Sequence, residues 1–191
     1  MKERIQEIFA ASIAAKRQFL EENADTLIIV VNLIARTFTS GGKLLLFGNG
    51  GSAADAQHIA AEFVNRYLIE RPPLPAIALT TDTSVLTSVS NDYSFAEVFA
   101  KQVRALGRAG DVALAISTSG NSPNVLRALE VCREIGIHTV GLTGGRGGEL
   151  AGRVDYLLRV SAATTPRIQE THILIGHALC ELVDELLFGQ G

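Results

Sequence analysis

Five short apolar runs without two-residue alternation constrain this chain more than any other feature in it: Lys43–Phe47, Ala76–Leu79, Val112–Ile116, Thr139–Leu142 and Tyr156–Val160. A strand with one wet face alternates apolar and polar side chains. A run that is apolar throughout has both faces covered, as in a parallel sheet flanked by helices. The segments between the runs read as helices: Ala53–Tyr67, Thr83–Ser90 with Phe95–Leu106, and Asn124–Ile135. A last helix is expected from Pro166 to Phe188. The pattern predicts an α/β three-layer sandwich, with a five-stranded parallel sheet and extra helices at both ends.

Residues 2–39 read as helix, with a soft break at EENAD where Asp25 could cap a second helix. That second helix, Thr26–Phe38, is apolar on most of its circumference and is expected to be buried, either within the domain or against another subunit. No linker, repeat or low-complexity segment divides residues 1–191, so a single domain is expected. A hydrophobic content of 47% suits a globular core, and a net charge of -3 without a basic block argues against nucleic acid as a partner. Cys132 and Cys180 lie far apart and read as reduced core residues. The amino terminus lacks the apolar stretch of a signal peptide, and Leu27–Ala35 is too short to span a bilayer. A cytoplasmic protein with no membrane partner is expected.

The ends of the first four runs carry the chemistry. They are GNGGS, TTDTS, STSGNS and TGGRGG, and ligands of open parallel sheets bind beyond the carboxyl ends of the strands. Ser117–Asn124 offers four hydroxyls, and Ser122-Pro123 reads as an N-cap followed by proline at the first helical position. Such a loop feeds a helix N-terminus, where free amides and the dipole attract anions. No lysine follows it, so it is not a nucleoside triphosphate loop, and a dense hydroxyl loop suits a sugar phosphate better. The GxGG spacing after the first run departs from the dinucleotide fingerprint.

His58 and Glu62 are four residues apart on one helix and share a face, which suits a divalent metal or an acid–base pair. The last helix carries Gln169, Glu170, His172 and His177. Ile173, Leu174 and Cys180 put His177 near its apolar side, while His172 has no clear face. Gln169 and His177 are separated by about 12 Å along a regular helix and about 80° around it, so one ion could take both only if they leaned together, with an irregular helix start, or if another chain supplied one.

Through GNGGSAADAQHIAAEF, Ser90–Asp92, ISTSGNSPNV and TPRIQETHILIGHALCELV, the chain resembles the phosphoheptose isomerase family of sugar isomerase (SIS) domain proteins. The resemblance implies a flavodoxin-like SIS sandwich and conversion of sedoheptulose 7-phosphate into D-glycero-D-manno-heptose 7-phosphate. It implies Glu62 as base, His177 as acid, and one zinc ion per subunit among His58, Glu62, Gln169 and His177. Asn49, Gly50, Gly51, Ser52, Glu62, Asn91, Asp92, Ser117, Thr118, Ser119, Ser122 and Gln169 would line the substrate site. It also implies a homotetramer with interfacial sites, the helices of residues 2–39 contributing to assembly. The stretches KQVRALGRAGDVALAIST and GGELAG resemble a second group, the initiator-associating proteins of bacterial replication, which typically lack the last-helix histidine. A non-catalytic adaptor that binds the replication initiator, or a sugar-phosphate sensor, is therefore the alternative reading.

Overall fold

The computed structural model describes residues 1–189. Its elements run α1 (Lys2–Thr39), β1 (Leu44–Gly48), α2 (Gly51–Val64), β2 (Ala76–Ala78), α3 (Thr83–Asp92), α4 (Val98–Leu106), β3 (Val112–Ser117), α5 (Pro123–Ile135), β4 (His138–Gly144), β5 (Tyr156–Val160) and α6 (Thr165–Phe188). The sheet order is β2-β1-β3-β4-β5, and every pairing is parallel.

Strands β1 and β3 have no wet face. Leu44 and Leu46 of β1, with Val112, Leu114 and Ile116 of β3, pack under α1, α2 and α6. Leu45 and Phe47, with Ala113 and Ala115, point the other way, into a core shared with α4 and α5. Both sets are fully buried, which is why these runs show no alternation. No described helix is long and apolar enough to cross a membrane.

The amino-terminal helix differs from expectation. It is one unbroken helix, and Asp25 caps nothing. EENAD contains neither glycine nor proline, and Asn23 is held where it lies. Its amide donates to the Phe19 carbonyl one turn back and to the Arg159 carbonyl of β5, and its oxygen accepts from Arg159 N–H. Within Thr26–Phe38, residues Leu27, Val30, Val31, Leu33, Ile34, Ala35 and Phe38 are buried inside this chain. Among the apolar side chains left exposed on α1, Ile5, Phe9, Ile13 and Leu20 belong to its first half.

Candidate active site

Two helix N-termini meet above the carboxyl ends of β1 and β3. α2 starts directly from the glycine turn: Gly50, with φ of 57°, is its N-cap residue and Gly51 its first. The positive φ is a conformation glycine adopts without a Cβ penalty. Ser52 is buried at the same corner. α5 starts at Pro123 with Ser122 as N-cap residue, as the sequence predicts, but the Ser122 hydroxyl does not cap the helix. It lies 3.0 Å from the Ser117 hydroxyl instead. Asn49 and Asn124 lock the two helix starts together through reciprocal amide hydrogen bonds of 2.9 Å. The result is a cradle of hydroxyls and helix-start amides, an anion-attracting arrangement.

The loop after β4 supports this cradle. Gly120 takes φ of 69° and sits against the Gly147 carbonyl, leaving no room for a side chain. Gly144 N–H donates to the Thr118 carbonyl and Leu150 N–H to that of Gly120. Ser119 is exposed, and its hydroxyl accepts from Asn121 N–H. Asn91 and Asp92 close α3, exposed and bonded to each other at 2.9 Å. Among the described residues no hydrogen bond joins either to the cradle.

α2 then runs away from the cradle, side by side and parallel with α6, and the two helices touch at successive levels. At the first, Gln169 lies over Gly51, its Nε2 2.6 Å from where a Cβ there would sit. At the second, Gly176 admits Ile59 into van der Waals contact, which a side chain at 176 would block. The next residue of α6 and the preceding residue of α2 therefore meet: His177 Nε2 stands 2.9 Å from His58 Nε2. Glu62 Oε1 is 3.5 Å from the same His58 nitrogen, and Tyr67 stacks on the His177 ring. At the third level, Arg71 joins the end of α2 to Asp184 of α6. The eight-residue spacing of Gln169 and His177 on α6 thus runs beside a seven-residue spacing of Gly51 and His58 on α2. Each contacts a different level of α2, and neither leans toward the other.

The donor set fits a zinc ion in part. Two ligands at zinc–nitrogen distance in tetrahedral geometry lie about 3.3 Å apart, and the observed 2.9 and 3.5 Å bracket that value. Two imidazole nitrogens and a carboxylate oxygen are ordinary zinc donors. Among the described residues, however, no three His, Cys, Asp or Glu side chains are already drawn together as a metal cluster. Gln169 stays at the cradle end.

Two neighbours, Asn124 and Asp55, escaped sequence reasoning, and a third, His172, has no clear face in the sequence. Asn124 looks like an ordinary first-turn residue, and only its pairing with Asn49, 75 positions away, shows its place. Asp55 lies one turn before His58; its Oδ2 is buried and has no hydrogen-bond partner among the described residues. Burial raises its pKa, opposed by the charges of His58 and His177. An acid three residues before a histidine, as in DAQH, is too common a spacing to single Asp55 out. His172 is fully buried on α6, facing β4.

Known proteins resemble this chain along most of its length. The model of the SIS domain family matches residues 8–144. The phosphoheptose isomerase of Thermodesulfovibrio yellowstonii is 52% identical over 188 residues, covering 98% of this chain and 94% of that protein. That of Aquifex aeolicus is 52% identical over 187 residues, covering 98% of each. The solved phosphoheptose isomerase structure from Neisseria gonorrhoeae is 48% identical and superposes with a TM-score of 0.91, over 96% of this chain and 98% of that one.

Proposed function

The chain belongs to the SIS-domain phosphoheptose isomerases, and from that premise we propose that it converts sedoheptulose 7-phosphate into D-glycero-D-manno-heptose 7-phosphate through an enediolate. The observation that carries this reading is the course of α2. It begins in the anion cradle and, two turns on, presents His58 and Glu62 opposite His177.

In the proposed reaction the cradle of Ser117, Thr118, Ser119 and Ser122, with the amides of Gly50 and Gly51 and the buried Ser52 at the same corner, holds the phosphate. Asn49 keeps the cradle in register, and Gln169, beside Gly51, contacts the middle of the sugar. Asn91 and Asp92 join the site from a neighbouring subunit. Binding at the phosphate holds C1 and C2 against the proton-transfer groups. Glu62 removes a proton from C1, and the electron pair left behind forms the C1–C2 double bond. His177 supplies a proton to the C2 oxygen. Return of the proton from Glu62 to C2, with transfer of the C1 hydroxyl proton to His177, gives the aldose and restores both groups. Zinc held by His58, Glu62 and His177 would polarise the carbonyl and stabilise the enediolate. A bound carboxylate is a weaker base and a metal-bound imidazole nitrogen carries no proton, so Glu62 and His177 transfer protons only in their unligated forms. A homotetramer with sites between subunits accords with the exposed apolar row Ile5, Phe9, Ile13 and Leu20 on α1.

The test is incubation of the protein with sedoheptulose 7-phosphate, with and without zinc, followed by detection of an aldoheptose phosphate. Glu62→Gln should lower turnover by about 100-fold or more while keeping sugar-phosphate binding. Turnover near the parent rate in that variant would remove Glu62 from the base role. Binding of a replication initiator without any product would favour the adaptor.

A further inference from the structure

We propose that Arg71 is a positioning residue for the proton-transfer groups, clamping the Glu62 turn of α2 to the His177 face of α6. The inference rests on the isomerase reading for the roles of Glu62 and His177, and on geometry for the rest.

Arg71 lies in the irregular segment between α2 and β2, with its side chain 1% exposed. Its guanidinium makes bonds on three sides. Nη2 donates to the Glu62 carbonyl at 2.9 Å, and Nη1 donates to the Phe63 carbonyl at 2.6 Å and to those of Asn65 and Pro72. Nε donates at 2.9 Å to Asp184 Oδ1, on a side chain 4% exposed. The last turn of a helix leaves carbonyls without partners, and α2 has no basic residue of its own in that turn. Arg71 fills this need from outside the helix.

The clamp acts where it can set catalytic geometry. Glu62 itself contributes one of the bonded carbonyls. Asp184 lies seven residues after His177, two turns along, and so shares its face of α6. The distance between the carboxylate on one helix and the imidazole on the other is therefore fixed at one end by the Ile59–Gly176 contact and at the other by Arg71–Asp184. Lysine could not replace this arrangement, because a point charge has no planar fork to reach carbonyls and carboxylate together.

A buried charge left alone is strongly destabilising, so the informative variant removes both charges: Arg71→Met with Asp184→Leu. Replacement of a buried ion pair by apolar residues of similar volume is commonly tolerated. The expected result is a folded protein whose kcat falls about tenfold or more with KM changed less than about threefold, because misplacement of reacting groups by about 1 Å is costly. Zinc affinity, read by competition with a chromophoric chelator and independent of turnover, should weaken by about tenfold or more. A purely structural clamp would shift the melting temperature and leave both values at the parent level per folded molecule, which would overturn the proposal. Asp184→Asn, which keeps the shape and one hydrogen bond, should fall between parent and double variant. If neither variant folds, Arg71 is a folding element and the positioning role is lost. A parent that binds zinc without turning over heptose phosphate would sink the isomerase reading while leaving the chelator titration to decide the clamp.

Discussion

His172 gives the sharpest quantitative expectation. It is fully buried, and its Nε2 donates at 3.1 Å to the Thr143 carbonyl at the end of β4. A carbonyl only accepts, so Nε2 carries the proton and Nδ1 is a bare lone pair. Among the described residues Nδ1 has no hydrogen-bond partner. Protonating it would bury a charge and an unpaired N–H together, and burial pushes the pKa from 6.5 down to about 4. The unfolded chain binds this proton below about pH 6.5 and the folded chain only near pH 4. Between those values the unfolded state holds more protons, so stability falls as pH is lowered. At about 1.4 kcal/mol per tenfold change in proton binding, the full effect is roughly 3 kcal/mol, of which roughly 2 kcal/mol is lost between about pH 7 and pH 5. Other groups titrate too, so the assay compares parent with His172→Asn, whose amide can still donate to Thr143. Urea unfolding of both proteins at about pH 7 and pH 5, at equal protein concentration, isolates the one imidazole. The parent should lose roughly 2 kcal/mol more than the variant. Parallel losses would refute the argument that the buried ring is held neutral.

Three other perturbations have defined outcomes. Gly120→Ala forces a methyl group onto the Gly147 carbonyl at a positive φ, so it should pull the cradle from the β4 loop and raise KM by about tenfold with a smaller change in kcat, measured by steady-state kinetics. Gly51→Ala meets only the end of the Gln169 side chain, 2.6 Å from the new Cβ, so the melting temperature should hold within a few degrees while kcat/KM drops about tenfold. Chelation by EDTA should lower turnover by about tenfold or more, restored by zinc, and leave binding of a sugar phosphate to the cradle intact by calorimetry.

The sheet was legible because five unalternating runs have one economical solution, and Phe47 or Leu114 can only be read as buried on a covered sheet. Helix ends were less legible. The sequence places the end of α2 at Tyr67, but it stops at Val64, where Arg71 from further along the chain takes over the last carbonyls. The break expected at EENAD is absent because Asn23 finds partners on β5, a contact 136 positions away that no local rule contains. His58, Glu62 and His177 could be named individually from their spacing and from resemblance. What brings the two imidazoles together is Gly176, whose lack of a side chain lets α6 settle onto Ile59. A glycine inside a helix reads locally as a weak point; its value here lies in the neighbour it admits.

The parallel course of α2 and α6 makes them a measuring rod. From Gly51 to His58 a regular helix rises about 10 Å, a length set by backbone geometry and insensitive to side-chain adjustment. With the anionic end of a sugar seated at the first residue, a shorter chain would fall short of the imidazoles and a longer one would overshoot them. Discrimination by carbon number would then belong to the helix itself, and adding or deleting a single residue between 51 and 58 would rotate His58 by about 100° and destroy the gauge.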